Sequence, residues 1–430
     1  MTRERPASVA SLVLVAGLWA CGALWPGVVQ AAEGQGFAEL RLSGFPGADG
    51  DLWQVVERVR PTLETSLGER VKLVAVIEAW MAQGLDNKRE LRRIFETVGC
   101  ASPQPENDVL GVSSAHEYLD VDRLYLDYYG KGLDLRVGRQ SVNWGSARFL
   151  NPTDPFPEML LTEPWRPRRG VNAARATLPF GDLHDATLVV ASDDAFTQVR
   201  TAARVRLNAW ETDWALVGAW RSDDDDAFVG VDFRGTLGVG WWVEAAWHLT
   251  GEQALEASAG VDYSFRVLER LVVTAQYTFH GGGRTDTVPG GSAATSATTL
   301  PASACSTSAL QASLGSTGEA APFASPLTGR EYLLLAAALQ VLPDWGGSLT
   351  QLQNVDDGTA VLIPTVTWQA ADWLEVAMAA QVPLAVWGDG GEPKPKDQNL
   401  VPTTGGLATL LDLRGLVPDA VVTLWTRASF

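Results

Sequence analysis

The sequence predicts an all-β protein in which about 18 antiparallel strands (16 is the alternative count) close into an up-and-down barrel. Segments of about 10 residues alternate apolar and polar side chains along most of the chain, which places the two kinds on opposite faces of a sheet. Connections between these segments are short and long in turn. Beyond the N-terminal segment, no stretch is long and apolar enough for a membrane-spanning helix. These observations favour a transmembrane barrel, whose apolar outer face meets lipid and whose polar face lines the interior.

Composition bounds the class of protein. The 430-residue chain is 46% hydrophobic and carries a formal charge of -18. It is long enough for about two or three ordinary soluble domains, but its pattern does not change along its length. The acidic balance and the lack of a dense Lys/Arg cluster argue against nucleic acid as a partner. One large repetitive architecture is therefore expected.

Residues 1–31 are organised like a secretory signal peptide. Arg3 and Arg5 form its basic end, and residues 8–24 form its apolar centre. Val29 and Ala31 are the small residues expected before the cleavage point. A membrane anchor is the alternative, although Pro26 and Gly27 end the apolar run early. Lipidation of Cys21 is a minor alternative, because the neighbouring Trp19 fits a lipoprotein signal poorly. We expect export with cleavage near Ala31, which leaves 32–430 as a single barrel domain.

The alternating segments give the predicted strands in order. The pattern is cleanest along 253–266, where Leu255, Val261 and Phe265 interleave with Glu256 and Asp262. The full set is 36–45, 53–66, 69–82, 116–129, 132–144, 169–180, 183–192, 196–209, 212–222, 226–237, 239–250, 253–266, 269–281, 329–342, 345–356, 359–371, 373–387 and 417–430.

Connection lengths sort by position along the chain. The long connections, 83–115, 145–168, 282–328 and 388–416, all follow odd-numbered strands, and the connections after even-numbered strands are short. Outer-membrane barrels have this asymmetry, with short periplasmic turns and long extracellular loops. A soluble sandwich or propeller would not be expected to sort its loops in this way.

Aromatic residues concentrate near the predicted strand ends, as in the girdles of membrane barrels. Those beside the short turns are Tyr128, Tyr129, Trp210, Trp214, Trp241, Trp242, Trp345 and Trp373; those near the opposite ends are Trp53, Trp80, Trp144, Trp220, Trp247 and Trp387. The alternative is that tryptophans fill a sandwich core, which would place them in the middle of strands.

Several stretches resemble a porin-like outer-membrane family of Gram-negative bacteria, similar in character to alginate-export and other large substrate-specific barrels. They are LRVGRQ at 135–140 with NWG at 143–145, NPTDPF at 151–156, and NVDDGT at 354–359, followed by IP at 363–364 and WLEV at 373–376. The alternating final strand, which ends in Phe430, looks like the signal that such barrels present to their assembly machinery. The resemblance implies a conduit and names no substrate. The partners expected for such a barrel are outer-membrane lipid, lipopolysaccharide and small polar solutes, and a homotrimer is left open.

If the polar strand faces line the interior, the sequence predicts two oppositely charged walls. The net basic wall comprises Arg58, Arg60, Arg70, Lys72, Arg123, Arg136, Arg175, Arg200, Arg204 and Arg206, against Glu64, Glu78, Asp127 and Asp134. The net acidic wall comprises Asp232, Glu244, Glu256, Asp262 and Glu375, against Arg234 and Arg266. A transverse field between them would orient dipolar solutes and disfavour apolar ones. The alternative is that the charges pair within each wall. Arg139 has the outward parity of its strand, so either a bulge turns it inward or it lies at the outer rim.

Candidate catalytic and metal sites are weak. His248 and His280 are expected to face inward near the outer rim as solvated side chains, without a Ser-His-Asp arrangement. The acidic loops at 223–226 and 356–357 fit a solvated rim better than a cation site. Cys100 and Cys305 are in no metal-binding spacing; both fall in long loops of one rim and are a possible disulfide in an oxidising compartment. We expect no cofactor, no metal and no enzymatic activity.

The third connection that follows an odd-numbered strand, residues 146–167, is predicted to fold into the barrel as a constriction. Its apolar side chains would be exposed on an outward loop, and its prolines stiffen it; its charged members are Asp154, Glu158, Glu163, Arg166, Arg168 and Arg169. The alternative is a loop that lies flat over the rim. The function predicted is passive diffusion of small polar or charged solutes. The alternatives are a plugged barrel that serves as a scaffold or surface-loop binding protein, and an outer-membrane hydrolase.

Overall fold

The computed structural model describes residues 33–45, 52–83, 115–156, 168, 170–192, 196–222, 226–250, 254–283, 330–356, 358–386 and 420–430. Within these ranges every regular element is a β-strand, and no helix there is long and apolar enough to cross a membrane. The predicted signal peptide at 1–31, both cysteines of the possible disulfide, and the loop residues Glu158, Glu163, Arg166 and Arg169 lie outside the described residues.

The strands are β1 (Glu33–Phe45), β2 (Leu52–Ser66), β3 (Val71–Gln83), β4 (Ala115–Tyr129), β5 (Asp134–Gln140), β6 (Val171–Pro179), β7 (Asp185–Ser192), β8 (Val199–Ala209), β9 (Thr212–Arg221), β10 (Asp226–Thr236), β11 (Gly240–His248), β12 (Leu255–Phe265), β13 (Arg270–His280), β14 (Glu331–Leu342), β15 (Trp345–Asn354), β16 (Thr359–Ala371), β17 (Leu374–Ala385) and β18 (Val421–Ser429).

These strands form one closed antiparallel sheet. Each strand pairs with its sequence neighbours, and β1 pairs with both β2 and β18, so that all 18 strands lie in a ring. At the seam, Phe430 and Gly36 exchange backbone hydrogen bonds of 2.9 and 3.0 Å. Arg427 of β18 also contacts Glu39 of β1 at 2.7 Å. The predicted fold class is confirmed, and closure leaves no unpaired sheet edge.

The outer face of the barrel is apolar. Large hydrophobic side chains such as Leu124, Leu126, Val137, Leu216 and Val243 are exposed there, while their neighbours in sequence face the interior. An exposed apolar belt of this kind is what a lipid-embedded barrel presents.

Some predicted girdle aromatics lie on the outer face and some do not. Exposed aromatics near the short turns include Tyr128, Trp210, Trp214, Trp345 and Trp373, and Trp220 and Trp247 are exposed toward the opposite ends. By contrast, Trp144 and Trp242 are buried inside the barrel, so their assignment to a girdle is wrong. The side chains of Trp53, Trp80 and Trp387 lie outside the described residues.

The main difference from the predicted strands is at β5. The prediction extends it over 132–144, whereas the strand ends at Gln140, because the chain then turns into the interior and buries Val142 and Trp144. Arg139 lies one residue before that end. It pairs with Leu124 and Asn172 without a register shift, and its side chain is half-buried.

Candidate functional site

The segment that follows β5 enters the barrel and packs on an apolar patch of its inner wall. Val142, Trp144 and Phe156 of this segment are buried together with inward side chains of β6 to β11, namely Ala173, Val189, Ala191, Ala202, Val217, Ala219, Phe228 and Ala246. The rule that the inner face is polar therefore fails on this side. The sequence signal is that β7 and β9 carry apolar residues on both faces, as in the adjacent pair Val189 and Val190.

The same segment then crosses to the far wall. Leu150 is buried against Tyr332 of β14 and Leu352 of β15, with Phe149 and Val361 packed beside them. Residues 141–156, here called the inward loop, thus contact the inner wall from β6 to β16. The prediction that the third loop folds inward agrees with this path, as far as residue 156.

A single carboxylate holds the centre of the inward loop. Glu244 lies in the middle of β11 and is fully buried. Its Oε1 accepts hydrogen bonds from the backbone N–H groups of Ser146 and Ala147. Its Oε2 accepts from the Thr153 hydroxyl at 2.9 Å and from the Thr153 backbone N–H at 3.4 Å. Charge-assisted hydrogen bonds of this kind are stronger than neutral ones, so Glu244 fixes both legs of the loop to β11.

Gly145 makes this approach possible. Its φ of +91° lies in the left-handed region, and a Cβ there would come within 2.8 Å of the Glu244 carboxylate. A larger residue would therefore have to displace either the loop or the carboxylate.

Neighbouring inner-wall residues extend the anchor. Asp232 accepts a 3.0 Å hydrogen bond from the Ser146 hydroxyl, and Ser258 donates to the carbonyl of Leu150 at 3.1 Å. Gln276 accepts from the backbone N–H of Arg148 at 2.8 Å and donates to the carbonyl of Phe149. The predicted acidic wall is thus corrected at its centre, because Asp232 and Glu244 hold the loop instead of lining open water.

The inward histidines also differ from the prediction. His248, Glu256 and His280 are all buried, with His280 Nδ1 at 2.6 Å and His248 Nε2 at 4.0 Å from the Glu256 carboxylate. Both histidines face inward as expected, but they are not solvated, and Glu256 is not an exposed wall residue. Glu375 is half-buried and accepts a 3.4 Å hydrogen bond from Trp425. No group of metal-ligating side chains that could hold an ion occurs in the described part of the chain.

The far end of the inward loop is tied to the chain that returns to β6. Asp154 is buried, accepts a 3.0 Å hydrogen bond from the backbone N–H of Phe156, and contacts the guanidinium of Arg168. Burial raises the pKa of Asp154, and the charge of Arg168 opposes that rise. Arg123 in turn donates to the carbonyl of Arg168 at 3.2 Å, so the returning chain is fixed to β4.

The wall from β18 to β4 carries charges of alternating sign. Successive contacts across the strands are Arg427–Glu39 at 2.7 Å, Glu39–Arg58 at 3.8 Å, Arg58–Glu78 at 3.5 Å, Glu78–Arg60 at 3.4 Å, Arg60–Asp122 at 2.5 Å and Asp122–Arg123 at 3.4 Å. A register shift between Val76 and Ile77 accompanies the inward position of Asp122 next to Arg123. Lys72 pairs with Glu64 at 2.5 Å, and Arg70 lies in the exposed turn before β3. The predicted basic wall is therefore internally paired over these strands.

A cationic excess remains on β5 to β8. Arg136 forms hydrogen bonds of 2.5 and 2.8 Å with Asp127. Arg175 lies directly opposite Arg136 in the strand register and is half-buried. Arg204 and Arg206 share Asp185, at 3.7 and 2.7 Å. Arg200 lies further toward the long-loop rim, opposite Arg221. This part of the wall is basic, as the sequence predicts.

Sequence reasoning placed neither Arg148 nor Trp144 in the interior. Arg148 of the inward loop lies 3.0 Å from Asp262, and its guanidinium stands 5.3 Å from the ring centre of Trp242. Trp144 lies 5.1 Å below the guanidinium of Arg204. Both belong to a segment without strand periodicity, so only the aromatic-rich and proline-rich composition of 143–157 hinted at a packed segment.

Comparison with known proteins supports the fold. No protein-family model and no curated protein sequence matches the chain. Among solved structures, it is similar to OccK11 (OpdR) of Pseudomonas aeruginosa, at a TM-score of 0.54 and 8% identity over 94% of this chain and 97% of that one. It is also similar to a doubly substituted OccD1 (OprD), at 0.52 and 10% over 95% and 97%. For the outer-membrane protein OpdK of Pseudomonas aeruginosa the values are 0.52 and 8% over 94% and 100%. The resemblance to large outer-membrane barrels is thus confirmed for the fold.

Proposed function

We propose that this protein is an outer-membrane channel through which small polar or charged solutes diffuse passively. The observation that carries the proposal is a closed apolar-surfaced barrel whose interior keeps charged side chains open to solvent. The side chains of Arg148, Arg206 and Lys72 are 49%, 45% and 36% exposed within a ring whose outer face is apolar. Charged side chains on an inner wall lower the stability of the barrel unless water reaches them. A water-filled interior provides this hydration.

The inward loop favours a narrow, selective passage and argues against a wide pore. It packs on the wall from β6 to β16, so we infer that the free cross-section lies toward β17, β18 and β1 to β5. The paired charges of β18 to β4 line this side, and the basic residues of β5 to β8 lie at its edge. We infer that this passage favours polar solutes and disfavours apolar ones.

Planar-bilayer recording of the refolded protein tests the proposal. A channel gives discrete, reproducible conductance steps, and liposomes containing it should swell in small sugars and organic acids. Glucuronate is a suitable first organic acid, because the similar barrel OccK2 (OpdF) has been solved in complex with it. Heat-modifiable migration in detergent should confirm that the sample is an assembled barrel, and an assembled barrel without conductance would reject the channel.

A plugged barrel is the second candidate, and the inward loop is the observation that favours it. In that case the assembled protein should show neither conductance nor swelling. The hydrolase alternative gains nothing from His248 and His280, since both are buried against Glu256 and neither is open to a substrate. Export with cleavage near Ala31, assembly through Phe430, contact with lipopolysaccharide, a homotrimer and a Cys100–Cys305 bridge stay predictions.

A further inference from the structure

The inward loop covers the carboxylates of the acidic wall one after another. Ser146 donates a hydrogen bond to one oxygen of Asp232, and Ser146, Ala147 and Thr153 donate to the two oxygens of Glu244. Asp262 is the next carboxylate toward the short-turn rim, and it keeps 29% of its side chain exposed. The charged loop residue that reaches it is Arg148, at 3.0 Å. The loop therefore places a cation over the remaining exposed carboxylate of β10 to β12 among the described residues.

Arg148 is held in this place from several sides. Its backbone N–H donates to Gln276 at 2.8 Å, and the same Gln276 oxygen accepts from Trp242 Nε1 at 3.1 Å. The Trp242 ring beneath the guanidinium occupies the space that a Cβ at Gly260 would fill, 2.3 Å away. Stacking over an aromatic ring stabilises a guanidinium without covering its outer face.

Asp262 lies against Gly240, where a Cβ would come within 2.3 Å of Oδ1, so the glycine leaves room for the carboxylate at this position. The partner that holds the carboxylate there is Arg148, at 3.0 Å. Of the two partners, Arg148 is the more exposed to the interior, at 49% against 29%.

We propose that Arg148 determines the charge selectivity of the passage, by covering Asp262 and presenting a fixed guanidinium to passing solutes. This rests on the proposed channel function. With Arg148 in place, both the β5 to β8 wall and the inward loop present cations to the interior. Without it, Asp262 is uncovered and the two sides carry opposite charges. Arg234 of β10 is also exposed, and its position opposite Asp213 in the register is the same in both cases.

The test measures the anion-to-cation permeability ratio from reversal potentials in a salt gradient. R148Q should lower the ratio by about twofold or more, which is the size expected for one unit charge roughly 8 Å from a passing ion in water. D262N should raise the ratio, because Arg148 is then uncompensated. The R148Q/D262N double variant restores the formal charge and should return close to the wild-type ratio.

Two matched controls separate position from charge. K131Q removes a cation from the exposed turn between β4 and β5, where screening by salt is effective, and should leave the ratio unchanged. R148K keeps the charge and should keep the direction of selectivity. If R148Q does not assemble, D262N is compared with R148Q/D262N, because these two variants differ only at Arg148; an equal ratio in the two would overturn its role.

The outcomes are distinct. A conducting R148Q variant with the wild-type permeability ratio would overturn the role of Arg148 and leave the channel function standing. A change in the ratio of the same size in K131Q and R148Q would do the same. An assembled wild-type protein that does not conduct would overturn both.

Discussion

Oε2 of Glu244 on β11 accepts a 2.9 Å hydrogen bond from the hydroxyl of Thr153, across a separation of 91 residues in sequence. This contact joins the returning leg of the inward loop to the middle of the barrel wall. The outgoing leg is joined to the other oxygen of the same carboxylate. One side chain therefore holds both legs of the inward loop.

Replacing this carboxylate by its amide should loosen the loop. E244Q keeps the size of the side chain but turns one acceptor oxygen into a donor group that faces loop N–H or O–H groups. Leaving such buried donors unpaired costs about 1–3 kcal/mol. We expect larger and noisier single-channel currents. E64Q is the control, because Glu64 pairs with Lys72 on the opposite wall and does not touch the loop. Equal currents in E244Q and E64Q would contradict the anchor.

Gly145 should be irreplaceable for a reason that Gly68 does not share. Both residues have positive φ, +91° and +81°, but a Cβ at Gly145 meets the Glu244 carboxylate and a Cβ at Gly68 meets nothing within 4 Å. G145A and G68A therefore share a backbone cost of roughly 1 kcal/mol, and only G145A should displace the loop. Conductance should rise in G145A alone. A rise of the same size in G68A would argue that strain, and not the contact, moves the loop.

The Asp154–Arg168 pair should give a pH-dependent variant. R168Q removes the cation that opposes the burial effect on Asp154, so the pKa of that carboxyl should rise further. A carboxyl with a raised pKa favours the folded loop below its unfolded pKa, and that contribution is lost as the pH rises through the folded pKa. R168Q should therefore loosen the loop at pH values of about 8 and much less at about 4.

Limited proteolysis of the loop measures this effect. Losing one partner of a mostly buried pair should cost about 1–3 kcal/mol, less than for a fully buried pair because Arg168 is partly exposed. The D154N/R168Q double variant should be cut more slowly than R168Q at neutral pH. Equal cleavage rates at both pH values would remove Asp154 from the explanation.

Arg175 should lower the stability of the barrel and increase the uptake of anions. It faces Arg136 directly across the strand pair, and like charges in that position are destabilising by roughly 0.2–1 kcal/mol. R175M should raise the denaturant midpoint of the barrel and lower the uptake of small anions. R136M should lower the midpoint instead, because the buried Asp127 then loses both hydrogen bonds from Arg136 and keeps the 3.3 Å bond from the Tyr129 hydroxyl. A lower midpoint in R175M would mean that the register neighbours do not repel each other.

The strands and the closed barrel could be predicted from the sequence because they depend on local periodicity. Leu255 and Glu256 must lie on opposite faces of β12 whatever the rest of the chain does. The sorting of long and short connections then gives the up-and-down order, since strands joined by tight turns must be neighbours.

The interior was predicted less well because alternation assigns a residue to a face and does not say what covers that face. Glu244 and Asp262 have the same parity and charge, yet the loop buries one and leaves the other half-open. Trp144 lies near a strand end in sequence, which suggested a girdle, but the strand stops at Gln140 and Trp144 fills the space beside small inner-wall residues. Both outcomes depend on contacts between residues far apart in sequence, 60 positions for Trp144 and Arg204 and 91 to 98 for Glu244 and the loop, which no local pattern contains.

In the proposed channel, the closed barrel encloses a passage that the inward loop narrows. The most direct measurement is single-channel conductance of the wild-type barrel and of a variant in which residues 146–156 are replaced by a Gly-Ser linker of equal length. Heat-modifiable migration confirms that both have assembled. We predict discrete conductance in the wild type and a clearly larger conductance in the variant. Equal conductance in two assembled barrels, or none in either, would contradict the account.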